Sequence, residues 1–101
     1  MEQAFLRLFI AGHTPRSIEA VDCLRQLSSR MPPGLIRTEI VNVLESPELA
    51  EADRVIATPT LIRIEPSPRI RVVGVVKSPD QLLSLISKGS FEFPVAPVKE
   101  S

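Results

Sequence analysis

The sequence predicts an α/β domain: a mixed β-sheet with helices on both faces, in the order β-α-β-α-β-β-α. Three observations carry that expectation. Short apolar, β-branched runs alternate with stretches of helical period. The pairs Thr14-Pro15, Ser46-Pro47 and Ser78-Pro79 stand in front of the helical stretches, each an N-cap residue followed by proline at the first helical position. Only "PSP", residues 66–68, separates the last two apolar runs, a spacing that suits an antiparallel hairpin.

"FLRLFIA" (residues 5–11) is rich in large apolar groups and stops at Gly12, as a short buried strand does. The helix opened by Thr14-Pro15 places Ile18, Val21, Leu24 and Leu27 at helical spacing and ends at "MPPG", residues 31–34. "LIRTEIVNV" (35–43) is the next strand, with Ile36, Ile40, Val41 and Val43 as its expected buried members. A helix joins these two strands, so they lie parallel with a right-handed crossover. Ser46-Pro47 opens a short helix over "ELAEAD". Thr58-Pro59 follows, ahead of the β-branched "TLIRI". Proline cannot donate to a ladder and belongs at a strand's first residue, an edge or a bulge, so this pair marks a strand entrance. "RIRVVGVV" (69–76) is the last strand. Ser78-Pro79 opens the last helix, where Gln81 completes a capping-box pattern and Leu82, Leu83, Leu85 and Ile86 are apolar. The three Ser/Thr-Pro pairs are evenly spaced, but the intervals hold different elements, which excludes a repeat. Residues 1–88 read as one domain. The tail "GSFEFPVAPVKES" (89–101) is broken by proline and glycine and reads as extended or disordered.

The chain's 101 residues suit a single core, and its apolar fraction of 44% is ordinary for a globular domain. No apolar run approaches the ~20 residues of a membrane span. Glu2, Gln3 and Arg7 interrupt the place where a signal peptide's apolar core would be, so a cytoplasmic protein is expected. Net charge is zero, which removes the bulk electrostatic case for nucleic acid. The charge is polarised, however: residues 1–53 carry five arginines against eight carboxylates, and residues 54–101 carry seven basic residues against four acidic ones.

This element order is the thioredoxin-like arrangement. In that fold a Thr-Pro at a strand entrance faces a Cys-x-x-Cys that opens the first helix. Here "GHTPRS" stands there, with His13 and Arg16 where thiols would fall, and the lone Cys23 lies further along the helix beside its apolar stripe. One cysteine and one histidine cannot build a Cys/His metal site. The carboxylates Glu45, Glu48, Glu51 and Asp53 read as dipole compensation and a solvated face of the short helix. None of the four glycines forms a phosphate-cradling loop. No cofactor and no catalytic group is expected.

"LRLFIAGHTPRS" (6–17), "VNVLESPELAEADRVIATPTLIRIEPSP" (41–68) and "RVVG" (71–74) resemble the KaiB family of circadian-clock proteins. The family's pattern runs from an aliphatic strand to Ala-Gly-Asn-Thr-Pro-x-Ser, then Asp-Val-Leu-x-x-Pro-x-Leu-Ala-Glu-x-Asp, Ala-Thr-Pro-Thr-Leu, a proline-rich turn and an Arg-containing strand ending in Gly. The resemblance implies a non-enzymatic regulator that binds a ring-shaped KaiC-type ATPase. It also implies KaiA, or a histidine kinase with a KaiB-like sensor domain, as further partners, and self-association to a dimer or tetramer. Family members switch fold: a ground-state packing, usually a tetramer, rearranges its C-terminal half into the thioredoxin-like form. His13 replaces the family's Asn, Asn42 its Asp and Val75 a common acidic residue, and the acidic tail is absent. These departures point to a divergent member with its own ATPase, in circadian, clock-like or stress timing. The alternatives are a thioredoxin-like thiol protein lacking the Cys-x-x-Cys pair and a sensor domain of a clock-output histidine kinase.

The expected partner-binding residues are Arg54, Arg63, Arg69, Arg71 and Lys77. Arg54, Arg63 and Arg71 fall where the family commonly carries Lys or Arg. Strand alternation puts Arg69 and Arg71 on one face, and Arg63 is expected to join them across the hairpin. Gly12, Thr14, Pro15, Thr58, Pro59, Pro66, Pro68 and Gly74 are the expected structural or switch positions. Bonds preceding proline isomerise slowly enough to pace a switch, although turn formation alone accounts for the same prolines.

Overall fold

In the computed structural model, which describes residues 3–87, the first strand, β1 (Ala4–Ile10), lies inside the sheet and is buried along most of its length. Helix α1 (Pro15–Ser29) then carries the chain to β2 (Ile36–Asn42), which pairs parallel with β1. Helix α2 (Pro47–Ala52) leads to β3 (Thr60–Glu65), antiparallel to β1, and β3 turns into β4 (Ile70–Val73), antiparallel to it. Helix α3 (Pro79–Ile86) closes the described chain. The strand order is β2-β1-β3-β4, so the parallel crossover and the hairpin both form as the sequence predicts. The expected boundary at residue 88 and the tail over 89–101 lie outside the described residues.

Two of the three expected N-terminal caps, Thr14 and Ser78, act through their side chains. Thr14 Oγ1 accepts from Ser17 N at 3.2 Å, and Ser78 Oγ accepts from Gln81 N at 3.3 Å. Ser46 makes no such side-chain bond, and Pro47 alone marks that start. Pro59 stands immediately before β3, the inner strand that a proline could not enter without losing a ladder bond. Its carbonyl accepts from Gly74 N at 2.8 Å, and Thr60 Oγ1 donates to Ala57 O at 2.6 Å. The Thr58-Pro59, Glu65-Pro66 and Ser67-Pro68 bonds are cis. Gly74 adopts φ +100°, a conformation that favours glycine, and β4 stops there, short of the expected residue 76.

Two apolar clusters flank the sheet. Leu6, Leu8 and Leu61 pack with Leu24, Leu27, Leu82 and Ile86 beneath α1 and α3. Phe9, Val41, Ile62 and Ala50 pack on the α2 side. Two burial expectations need correction. Helix α1 turns Ser17, Ala20, Cys23, Leu24 and Leu27 inward, a stripe whose small members allow close approach, and leaves Ile18 58% exposed. Strand β2 is one of the sheet's two edge strands, and Ile40 on it is 38% exposed.

Candidate partner-binding site

Three arginines of the chain's basic half, Arg54, Arg69 and Arg71, gather around the end of α2. Arg54 N donates to Glu51 O and Val55 N to Ala50 O, the paired bonds of a Schellman ending. The left-handed residue in that motif is Arg54 itself, at φ 54°, where glycine or asparagine is usual. Two carbonyls at this end are covered from β4: Arg71 Nη2 donates to Asp53 O at 2.6 Å and Nη1 to Arg54 O at 3.4 Å. A cation there also complements the negative end of the helix dipole.

Asp53 is the hub. Its carboxylate accepts from Arg7 Nη1 at 3.0 Å and faces Arg69 Nη1 at 3.5 Å. Arg7 Nε also donates to Glu39 at 2.7 Å. Burial works against the Arg7 cation, but the bonds to Glu39 and Asp53 outweigh it and raise its pKa. Asp53 is therefore more than the solvated carboxylate its sequence context suggests, and Arg7 belongs to the same network. The available signal was Arg7 itself, a charge set into the apolar run of an inner strand.

The structure thus gathers Arg54, Arg69 and Arg71 at one end of α2. Beside them an open groove of about 1010 Å³ runs past Val43, Pro47, Arg54 and Val55 to Ile56, which is 98% exposed. Arg63 is a correction. β3 pairs Arg63 with Ile70 and Ile62 with Arg71, so Arg63 and Arg71 lie on opposite faces of the sheet. The Arg63 side chain is fully buried; it donates to Ile86 O at 2.6 Å and to Pro68 O at 2.7 Å, tying the end of α3 to the "PSP" turn. Lys77 is exposed in the segment between β4 and α3, on a different element from the cluster.

The opposing loops stand at one end of the sheet, because β1 and β3 are antiparallel and Phe9 pairs with Thr60. Gly12 (φ 67°) donates its N–H to Asn42 Oδ1 at 3.0 Å, and Ala11 N donates to Ser17 Oγ at 3.2 Å, so Asn42 and Ser17 hold the β1–α1 loop. Thr14 caps the helix and Pro15 is its first residue. His13 and Arg16 are exposed in the segment where a thioredoxin carries its thiols. Cys23 is buried, and burial, with help from Asp22, pushes its thiol pKa up, away from the reactive thiolate. Among the described residues no group of three His, Cys, Asp or Glu side chains could hold a metal, and no helix is long and apolar enough to cross a membrane.

The KaiB domain family matches residues 7–99. The chain belongs to the KaiB family. It is 36% identical over 94 residues to the circadian clock oscillator protein KaiB of Nostoc punctiforme, covering 86% of this chain and 90% of that one. It is 38% identical over 78 residues to the protein of that name from Prochlorococcus marinus strain NATL2A, covering 77% and 73%. Among solved structures it resembles the N-terminal domain of Synechococcus elongatus SasA (TM-score 0.68, 24% identity, 92% of this chain and 91% of that). It also resembles chloroplastic thioredoxin z (TM-score 0.72, 19% identity, 86% and 78%). At those identities the likeness establishes the thioredoxin-like fold, as the element order predicts.

Proposed function

We propose that this KaiB-family protein is a non-enzymatic regulator that binds a KaiC-type ATPase in a clock or clock-like timing system. The observation that carries this is the match to named clock oscillator proteins along nearly the whole chain. The state of the thioredoxin-type loop supports it: His13 and Arg16 occupy the thiol positions, and Cys23 is buried within the α1 core. KaiA or a histidine kinase would be further partners, and a second packing of the C-terminal half belongs to the same proposal.

The proposed contact is the end of α2, where exposed Arg54 lines the groove that reaches Ile56 and exposed Arg69 lies against Asp53, and there the protein meets an acidic patch on the ATPase ring. Arg71 supports that contact from beneath, and Arg63 serves the fold. The test is co-elution of the full chain with its cognate ATPase on a sizing column at micromolar concentration. Arg54→Glu and Arg69→Glu each weaken the complex, and the loss shrinks as salt rises, while circular dichroism is unchanged. Absence of any complex after hours removes the ATPase reading. Parental binding by both variants at low salt moves the interface elsewhere.

A further inference from the structure

Strand β4 ends the sheet, and no described strand pairs with its outer edge. The ladder fixes which groups lie on that edge. Gly74 N donates to Pro59 O at 2.8 Å, and the neighbouring pair is Val73 with Thr60. Hydrogen-bonded and non-hydrogen-bonded pairs alternate in an antiparallel ladder, so Ile70, Val72 and Gly74 turn their backbone groups to β3. Arg71 and Val73 turn theirs outward, and so does Arg69, just before the strand, if the pairing is extended by one residue.

The side chains along this edge are sorted by face. Arg71 lies opposite Ile62, a member of the α2-side cluster, and Arg69 and Val73 share its face. Val72 packs with the cluster beneath α1 and α3, and half-buried Ile70 shares that face. Arg71 and Arg69 both reach Asp53, which also holds Arg7 of β1. The two cations therefore lean inward across the sheet instead of over its edge. Arg7, Arg69 and Arg71 stand against two carboxylates, Asp53 and Glu39, so this network keeps an excess of positive charge.

A second copy of the strand is a poor occupant. Pairing about Ile70 sets Arg69 against Arg71, and pairing about Arg71 sets that residue against itself; like charges directly opposite oppose pairing. The edge instead specifies a segment of a different protein. In a strand running antiparallel to β4, the residues opposite Arg71 and Arg69 are acidic, and those opposite Val73, Val72 and Ile70 are apolar. Followed in its own direction, that segment runs apolar, apolar, acidic, apolar, acidic. Its carboxylates balance the excess charge, and its apolar residues cover Val73, which is 61% exposed, and extend the surface of Ile70 and Val72.

We propose that β4 binds an extended acidic segment of a partner protein, of this pattern, as a fifth and antiparallel strand. The site adjoins the proposed ATPase contact and shares Arg69 with it, but its test needs no ATPase, so the two stand or fall separately.

The probe is the peptide Val-Val-Glu-Val-Glu, acetylated and amidated at its ends and titrated into the isotope-labelled full chain. One added strand is small among specific interfaces, so the titration runs to about 1 mM. Saturable shifts are expected in the amide signals of β4, largest at Arg71 and Val73, whose N–H groups gain a partner. Val-Val-Lys-Val-Lys is expected to bind about tenfold more weakly or worse. Two methylated peptides test the hydrogen bonds without altering the protein. N-methylation of the first glutamate, whose N–H faces the Arg71 carbonyl, raises the dissociation constant about fivefold or more. N-methylation of the valine after it, whose N–H points away from β4, leaves binding unchanged. Arg69→Glu weakens binding of the acidic peptide while circular dichroism stays parental. Absence of saturable shifts in β4 overturns the proposal, as does equal binding of the glutamate and lysine peptides. Equal binding by the two methylated peptides overturns strand addition.

Discussion

Arg63 shows how a residue's function follows from the face it occupies. Its guanidinium is fully buried, and it bridges the carbonyl of Ile86 at the end of α3 and the carbonyl of Pro68 in the β3–β4 turn. A fork of fixed donors suits two carbonyls better than the point charge of a lysine. Arg63→Met leaves those acceptors without their charged donor and costs about 2–4 kcal/mol in urea unfolding. Arg63→Lys recovers part of that loss. Parental stability of Arg63→Met would show that the buried arginine holds nothing together. The sequence displayed Arg63 within an alternating strand and a proline turn after it. It did not display the register, and a shift of one residue moves a side chain to the other face. Arg63 was therefore expected beside Arg71, whereas Ile62 holds that place.

At the scale of elements, helix starts were legible and helix phases were not. Ser/Thr-Pro pairs act within one turn of chain, so Thr14, Ser46 and Ser78 announced α1, α2 and α3. Which stripe of α1 is buried depends on how closely it seats on the sheet, and the small residues Ser17, Ala20 and Cys23 outrank Ile18 there. The basic site was half legible for a similar reason. Strand alternation puts Arg69 and Arg71 on one face, and both reach Asp53, but that carboxylate, which also holds Arg7, is contributed by a distant element. Asp53 joins α2 to both β1 and β4. Asp53→Ala therefore costs about 1–2 kcal/mol, because the Arg7 bond is partly shielded from solvent. Arg69→Ala costs less than about 0.5 kcal/mol, since that contact is longer and more exposed. Urea midpoints rank the two variants, and equal losses would mean that Asp53 is not a hub.

For the whole molecule the open question is a second packing, which the proposed function includes. Switching requires two arrangements within a few kcal/mol of each other. The thioredoxin-like arrangement described here depends on α3 docking: Leu82 and Ile86 enter the core beneath α1, and the Ile86 carbonyl holds Arg63. A substitution that weakens this docking disfavours this arrangement relative to any packing that places α3 elsewhere. Ile86→Ala removes a fully buried side chain, a change that costs about 2–5 kcal/mol. A shift of about 3 kcal/mol alters a two-state ratio about a hundredfold, enough to make a hidden minor form visible. If the second packing exists, amide spectra of Ile86→Ala contain two folded sets of resonances in slow exchange. If the proposed ATPase partner selects the thioredoxin-like form, its capture of the chain then falls in proportion to that set, because a ligand's apparent affinity scales with the population of its competent state. The protein with only one packing behaves otherwise: a single folded set persists, the urea midpoint drops, and lost signal appears only as unfolded chain. That result would leave the KaiB-family fold intact and remove the switch from the proposal.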